Sequence, residues 1–150
     1  MNKHFDQIEG SDWMTKQDRA DFARFCYVYS KYIEPLFGQF DWEDNAFVHF
    51  SKANNIQSKG NKKGGKRENH FWFNASKPEG SKNNDFAHHF LRHIRNSFAH
   101  GLIEISYRGK SRHKFYHLTD YERHGEQSMN GYIRSDFLWK MIWILFQTCK

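Results

Sequence analysis

The stretch HFLRHIRNSFAHGLIEI, His89–Ile105, changes its period in the middle. Up to Phe98 the apolar residues fall three and four apart, as on one face of a helix. After Gly101 they alternate, with Ile103, Ile105 and Tyr107 set against Glu104 and Ser106, as in a strand. Gly101 stands at the change, where a helix commonly closes on a left-handed residue. The pattern predicts a helix from about Asn84 to Gly101, followed by a β-hairpin whose arms are LIEISYR and KFYHLTDY and whose connection is GKSR.

At about 100° per residue, Ala87, Leu91, Ile94 and Phe98 converge on one side of this helix, the expected core face. His89, His93, Asn96 and His100 form a narrow stripe on the opposite side, with Arg92 and Arg95 on its flank. A solvated face normally mixes Lys and Glu. This one carries imidazole, amide and guanidinium, groups that titrate near neutrality or grip phosphate. His89 and His93 also have the i,i+4 spacing of a metal pair. No HExxH glutamate and no nearby Asp, Glu or Cys completes a ligand set, so the metal reading is the weaker one.

Working outward, Thr15 with Asp18 three residues on reads as an N-cap. Phe22, Phe25, Cys26, Tyr29, Ile33, Leu36 and Phe37 then keep helical spacing until Pro35 and Gly38 stop the helix. A shorter helix is expected from Asp41 or Trp42 to about Lys52, with Trp42, Ala46, Phe47 and Phe50 on one side. The last helix, about Ser135 to Thr148, has Phe137, Leu138, Met141, Ile142 and Leu145 on one side and Trp139, Trp143 and Phe146 on another. So wide an apolar surface implies more than one packing neighbour, a second subunit among them. Together these elements predict a mainly α fold, a helical bundle with one small β-hairpin after the motif helix.

The chain has 150 residues, 38% hydrophobic and 18% aromatic, the size of one domain, 1–150, with one core. Cys26 and Cys149 lie near opposite ends without metal-ligand spacing, no signal peptide leads the sequence, and no run of apolar residues is long enough for a membrane span. A cytoplasmic protein without a membrane partner is expected. The net charge of +6 is confined to Ser51–Lys82, where eight Lys/Arg oppose two Glu. Residues 53–70 have no hydrophobic period and read as a basic flexible loop, with HFWF (His70–Phe73) anchoring its return. Such a run either gathers polyphosphate or is a solvated insertion; on the first reading Lys62, Lys63, Lys66 and Arg67 bind RNA.

At RNSFAH, Arg95–His100, the sequence resembles the HEPN superfamily (higher eukaryotes and prokaryotes nucleotide-binding domains). Its ribonuclease members carry Arg, a polar residue, a few others and then His, and Arg95, Asn96 and His100 match residue for residue. The hairpin after the motif helix is similar to the plasmid-borne and defence-associated bacterial branch. The resemblance covers mainly residues 84–121. It implies a helical bundle that forms a homodimer, with two motifs facing each other across a two-fold axis and a metal-independent endoribonuclease site, needing no cofactor, between them. Arg95, Asn96 and His100 are the implied catalytic residues. RNA is the implied substrate, and a toxin or abortive-infection (phage-defence) role brings an antitoxin or regulator as a further partner.

The chemistry of these residue types agrees with that role. A ribose 2′-hydroxyl attacking its own phosphate needs a base of near-neutral pKa, and His100 supplies one. The pentacovalent oxyanion needs a cation, and the Arg95 fork matches it. Asn96, one turn before His100, orients that ring or binds a phosphate oxygen. Arg92, His89 and His93 extend the groove as RNA ligands, or face a protein partner instead. The alternative function is a catalytically silent nucleic-acid- or nucleotide-binding or interaction module on the same scaffold.

Overall fold

A sheet of five strands runs through the middle of the chain, so the expected mainly α bundle gives way to a mixed α/β fold. The computed structural model describes residues 15–36, 39–54, 57–59, 69–74 and 86–149. In chain order these form α1 (Lys16–Val28), α2 (Asn45–Ala53), β1 (Gln57–Lys59), β2 (His70–Phe73), α3 (Phe86–Ala99), β3 (Ile103–Arg108), β4 (His113–Tyr121), β5 (Gln127–Arg134) and α4 (Ser135–Phe146). The spatial order is β1-β2-β5-β4-β3, antiparallel except for β1, which lies parallel to β2 at one edge.

The hairpin foreseen after Gly101 is β3–β4, but three further strands, β1, β2 and β5, extend it. HFWF is a buried strand and not merely the anchor of a loop, and QSMNGYIR forms β5 between β2 and β4. Within the expected flexible loop 53–70, Gln57–Lys59 is strand, and residues 60–68, with Lys62, Lys63, Lys66 and Arg67, lie outside the described residues.

The first helix starts where Thr15 and Asp18 predict. Thr15 Oγ1 accepts from the Asp18 amide at 3.1 Å, and Asp18 Oδ2 accepts from the Thr15 amide at 3.1 Å, a reciprocal cap. After Val28 the helix widens into a π turn over Tyr29–Ile33 and tightens into a 3₁₀ turn at Glu34–Leu36, where Pro35 ends it. Helix α2 starts later than its apolar pattern suggests, because the Asp44 carboxylate accepts from the Phe47 amide and fixes the cap there.

The helices lie on the sheet face carrying Phe71, Phe73, Ile103, Ile105, Tyr116, Leu118, Met129 and Ile133. Helix α3 packs on α1, β2 and β4, while α4 packs on α2, β4 and β5. Two aromatic clusters fill the space. One joins Phe22, Phe25, Phe98, Tyr116 and Trp139, with Phe22 and Phe98 stacked at 4.4 Å; the other joins Trp42, Phe47, Phe71, Phe73, Phe86 and Phe90. The two faces of α4 behave differently. Leu138, Met141, Ile142 and Leu145 are buried, while Trp143 is 60% exposed.

Candidate functional site

Helix α3 is buried on both sides, which a one-faced amphipathic reading does not anticipate. Ala87–Leu91, His93, Ile94, Ser97 and Phe98 are all buried. Beyond Ala87, the residues of this segment that reach solvent are Arg92, Arg95, Asn96, Ala99 and His100. On a helix of about 100° per residue these five fall in one window, with Arg95 and His100 about 140° apart on its two edges. Asn96 and Ala99 lie between them, and the Ala99 methyl leaves a low floor.

Each residue of the window is held by a neighbouring element. The helix stops at Gly101, whose φ of +67° suits glycine, and the chain is drawn into β3 by two bonds: Ser97 Oγ donates to the Leu102 carbonyl at 2.8 Å, and the Leu102 amide donates to the Ser97 carbonyl at 2.9 Å. The His100 amide donates to the Asn96 carbonyl at 3.0 Å, which leaves its exposed ring just past the last turn.

Arg95 lays its guanidinium over the Tyr29 ring, 5.0 Å from the centroid, and its buried Nε has no hydrogen-bond partner among the described residues. Burial pushes the Tyr29 hydroxyl up to about 12, against the opposing pull of Arg95. Burial likewise raises the Cys26 thiol, again opposed by Arg95, so Cys26 is not primed as a thiolate.

Asn96 introduces a residue that the sequence reading did not select. Its Nδ2 donates to Asp120 Oδ2 at 3.0 Å, and the same oxygen lies 2.8 Å from His93 Nδ1. The other nitrogen of that ring, Nε2, is 2.9 Å from the Asn74 carbonyl. Both ring nitrogens therefore face acceptors. Asp120 is 3% exposed; burial pushes its carboxyl upward, but hydrogen bonds from His93 and Asn96, the His93 charge and the Tyr121 amide outweigh that and hold it below its usual range. One signal could have revealed Asp120. It continues the Tyr116, Leu118 alternation on β4, so an acid stands on the apolar face, where a partner is obligatory.

The stripe expected along α3 is therefore divided. His89 is fully buried and its Nδ1 lies 3.3 Å from Arg92 Nη2, while His93 is 1% exposed and bonded inward. Only Asn96, His100 and the flanking Arg92 and Arg95 reach solvent. An apolar hollow of about 400 Å³ adjoins the helix end, lined by Arg19, Phe22, Ala23, Cys26, Phe98, Ala99, Gly101 and Ile103. Among the described residues no group of three His, Cys, Asp or Glu could hold a metal, and no helix is long and apolar enough to cross a membrane. No family model, no curated protein and no solved structure matches the chain.

Proposed function

We propose that this chain is a metal-independent endoribonuclease of the HEPN type, a toxin or abortive-infection effector that cuts RNA at a site completed by a second copy. The observation that supports it is the content of the α3 window: the part of a doubly buried helix that meets solvent holds Arg95, Asn96 and His100 around the small Ala99. A solvated face selected only for solubility has no reason to bring these three together.

The chemistry runs as follows. The ribose 2′-oxygen forms a bond to phosphorus while its proton passes to the neutral His100 ring. The P–O5′ bond breaks, and the departing oxygen takes a proton from water to become a 5′-hydroxyl, the proton gained by His100 returning to solvent, leaving a 2′,3′-cyclic phosphate. The Arg95 guanidinium holds the charge that accumulates on the equatorial oxygens. Because Arg95 and His100 flank the window from opposite edges, a second copy laid over Ala99 presents its own His100 to the first copy's Arg95, the isologous arrangement of a two-fold dimer.

The test is digestion of total RNA in EDTA by the wild type beside His100→Ala, with the cut ends mapped. The expected result is 2′,3′-cyclic or 3′-phosphate ends, with cleavage lowered about 10²-fold or more in the variant. Ends bearing 3′-hydroxyl and 5′-phosphate, or equal cleavage by both proteins, would remove this reading. Activity from a strict monomer would remove the composite site.

A further inference from the structure

We infer that Asp120 and His93 are positioning residues of the proposed ribonuclease site: together they commit the Asn96 side-chain nitrogen inward and turn its carbonyl oxygen toward the substrate. This rests on the reading of Arg95, Asn96 and His100 as the cleavage motif.

An ionised carboxylate only accepts, so an amide that bonds to it must offer nitrogen. Asp120 Oδ2 receives Asn96 Nδ2 at 3.0 Å, and this fixes which way the carboxamide faces. The Asn96 Oδ1 is then on the other side of the same planar group, and Asn96 is one of the few α3 residues that reach solvent. An isolated asparagine at that place is free to show either end. Here the window presents an acceptor, able to receive a hydrogen bond from a hydroxyl of the RNA other than the attacking one and so hold the reacting ribose in line with phosphorus, while the attacking 2′-hydroxyl keeps its single proton for His100.

His93 makes the arrangement durable. Its ring, 98% buried at the side chain, is clamped between Asp120 Oδ2 at 2.8 Å and the Asn74 carbonyl at 2.9 Å, so the carboxylate is held from the ring side and cannot turn away. The Tyr121 amide occupies the other carboxylate oxygen at 2.9 Å. Asn74 is itself fixed, its amide donating to the Ser128 carbonyl at 2.7 Å. The chain of bonds thus runs from the β2 and β4 backbones through two buried side chains to one half-exposed amide. A buried polar pair of this kind contributes little net stability relative to apolar residues of the same size. Its distinct effect is the orientation it imposes at Asn96.

The experiment is a double-mutant cycle on RNA cleavage by the full chain, with a thermal melt of each variant. Asp120→Asn and Asn96→Ala are made singly and together. Asp120→Asn should lower kcat about tenfold with KM nearly unchanged, as for an interaction used in the transition state. The double variant should cleave like Asn96→Ala alone, because Asp120 then has nothing to orient. Wild-type cleavage by Asp120→Asn, losses that multiply in the double variant, or a loss carried by KM would overturn the inference while leaving the ribonuclease reading standing. A wild type that cuts no RNA removes both. If Asp120→Asn does not fold, the joint replacement His93→Leu, Asp120→Leu, which removes the acceptor for Asn96 Nδ2 together with its buried partner, is put through the same cycle and judged by the same outcomes.

Discussion

Arg95 carries two roles that its position in a motif does not reveal. The expectation that Arg95 and His100 both lie away from the core holds for the exposed His100 but not for Arg95, whose guanidinium covers Tyr29 and whose Nε is buried. His100→Ala should therefore melt within a degree or so of the wild type. Arg95→Ala should lower the melting temperature by about 2–6 °C, taking about 1 kcal/mol for a partly desolvated cation–π contact and about 2–6 °C per kcal/mol for a chain of this length. Equal melting of the two would show that the Tyr29 contact contributes nothing. Asp18 gives a second prediction at this scale. Burial drives its carboxyl upward, but bonds from Lys114 Nζ, the Thr15 amide and hydroxyl, and the Tyr116 hydroxyl win, and its folded value is depressed. A depressed carboxyl stabilises the fold above its unfolded value of about 3.9, and the contribution is lost as pH falls through the folded value. Asp18→Asn should lower stability at pH 7 by on the order of 2 kcal/mol and make the acid limb of the melting-temperature profile, below about pH 4, shallower than in the wild type. Parallel acid limbs would exclude Asp18 as a source of that slope.

At the scale of elements, what could be read from the sequence depended on whether a segment buries one side or two. The helices α1 and α4 and the β3–β4 hairpin each follow a clean period, and their sequences locate them. Strand β5 does not. Ser128, Asn130 and Tyr132 alternate with Met129, Gly131 and Ile133, yet all six are buried, so a polar run that reads as a loop is an interior strand. HFWF is too short and too uniformly apolar to declare its period. Together with Gln57–Lys59, these two segments turned an expected bundle with a hairpin into a five-stranded sheet. The candidate site shows the same dependence: the Arg-Asn-x₃-His spacing was visible along one helix, but the Asp120 partner is 24 residues away on β4 and needed the sheet to be placed. Gly131 explains how β5 fits between its neighbours. It pairs with Phe71 on one side and Leu118 on the other, and a methyl on its Cα would fall inside the Phe71 ring. Gly131→Ala should destabilise the protein by about 1–3 kcal/mol through overpacking, with part of the loss recovered in a Gly131→Ala, Phe71→Leu double variant. Chemical denaturation of the two variants measures this; no recovery in the double variant would show that Phe71 is not the obstacle.

For the whole molecule, the charge is concentrated in one stretch of the sequence. All of the net +6 belongs to residues 51–82, and the rest of the chain balances to zero. That basic run leads into β2, which begins beside Asn69 and ends at Asn74, whose carbonyl holds His93 under the α3 window. Arg67 precedes Asn69 by two residues in the sequence. A cationic segment acts on capture of a polyanion, since counterion release depends on the number of phosphates met and not on the chemical step. It also carries no plausible base or nucleophile of its own. Changing Lys62, Lys63, Lys66 and Arg67 together to Gln should weaken binding of single-stranded RNA and flatten the log–log salt slope by up to about three, at roughly 0.7 per phosphate contact. Turnover at saturating RNA should stay within about twofold of the wild type, because a loss of uniform binding appears in KM and not in kcat. Filter binding across a salt series, read beside single-turnover cleavage, separates the two quantities. An unchanged slope would return the segment to a solvated insertion, and a fall in saturated turnover would place it in the site itself.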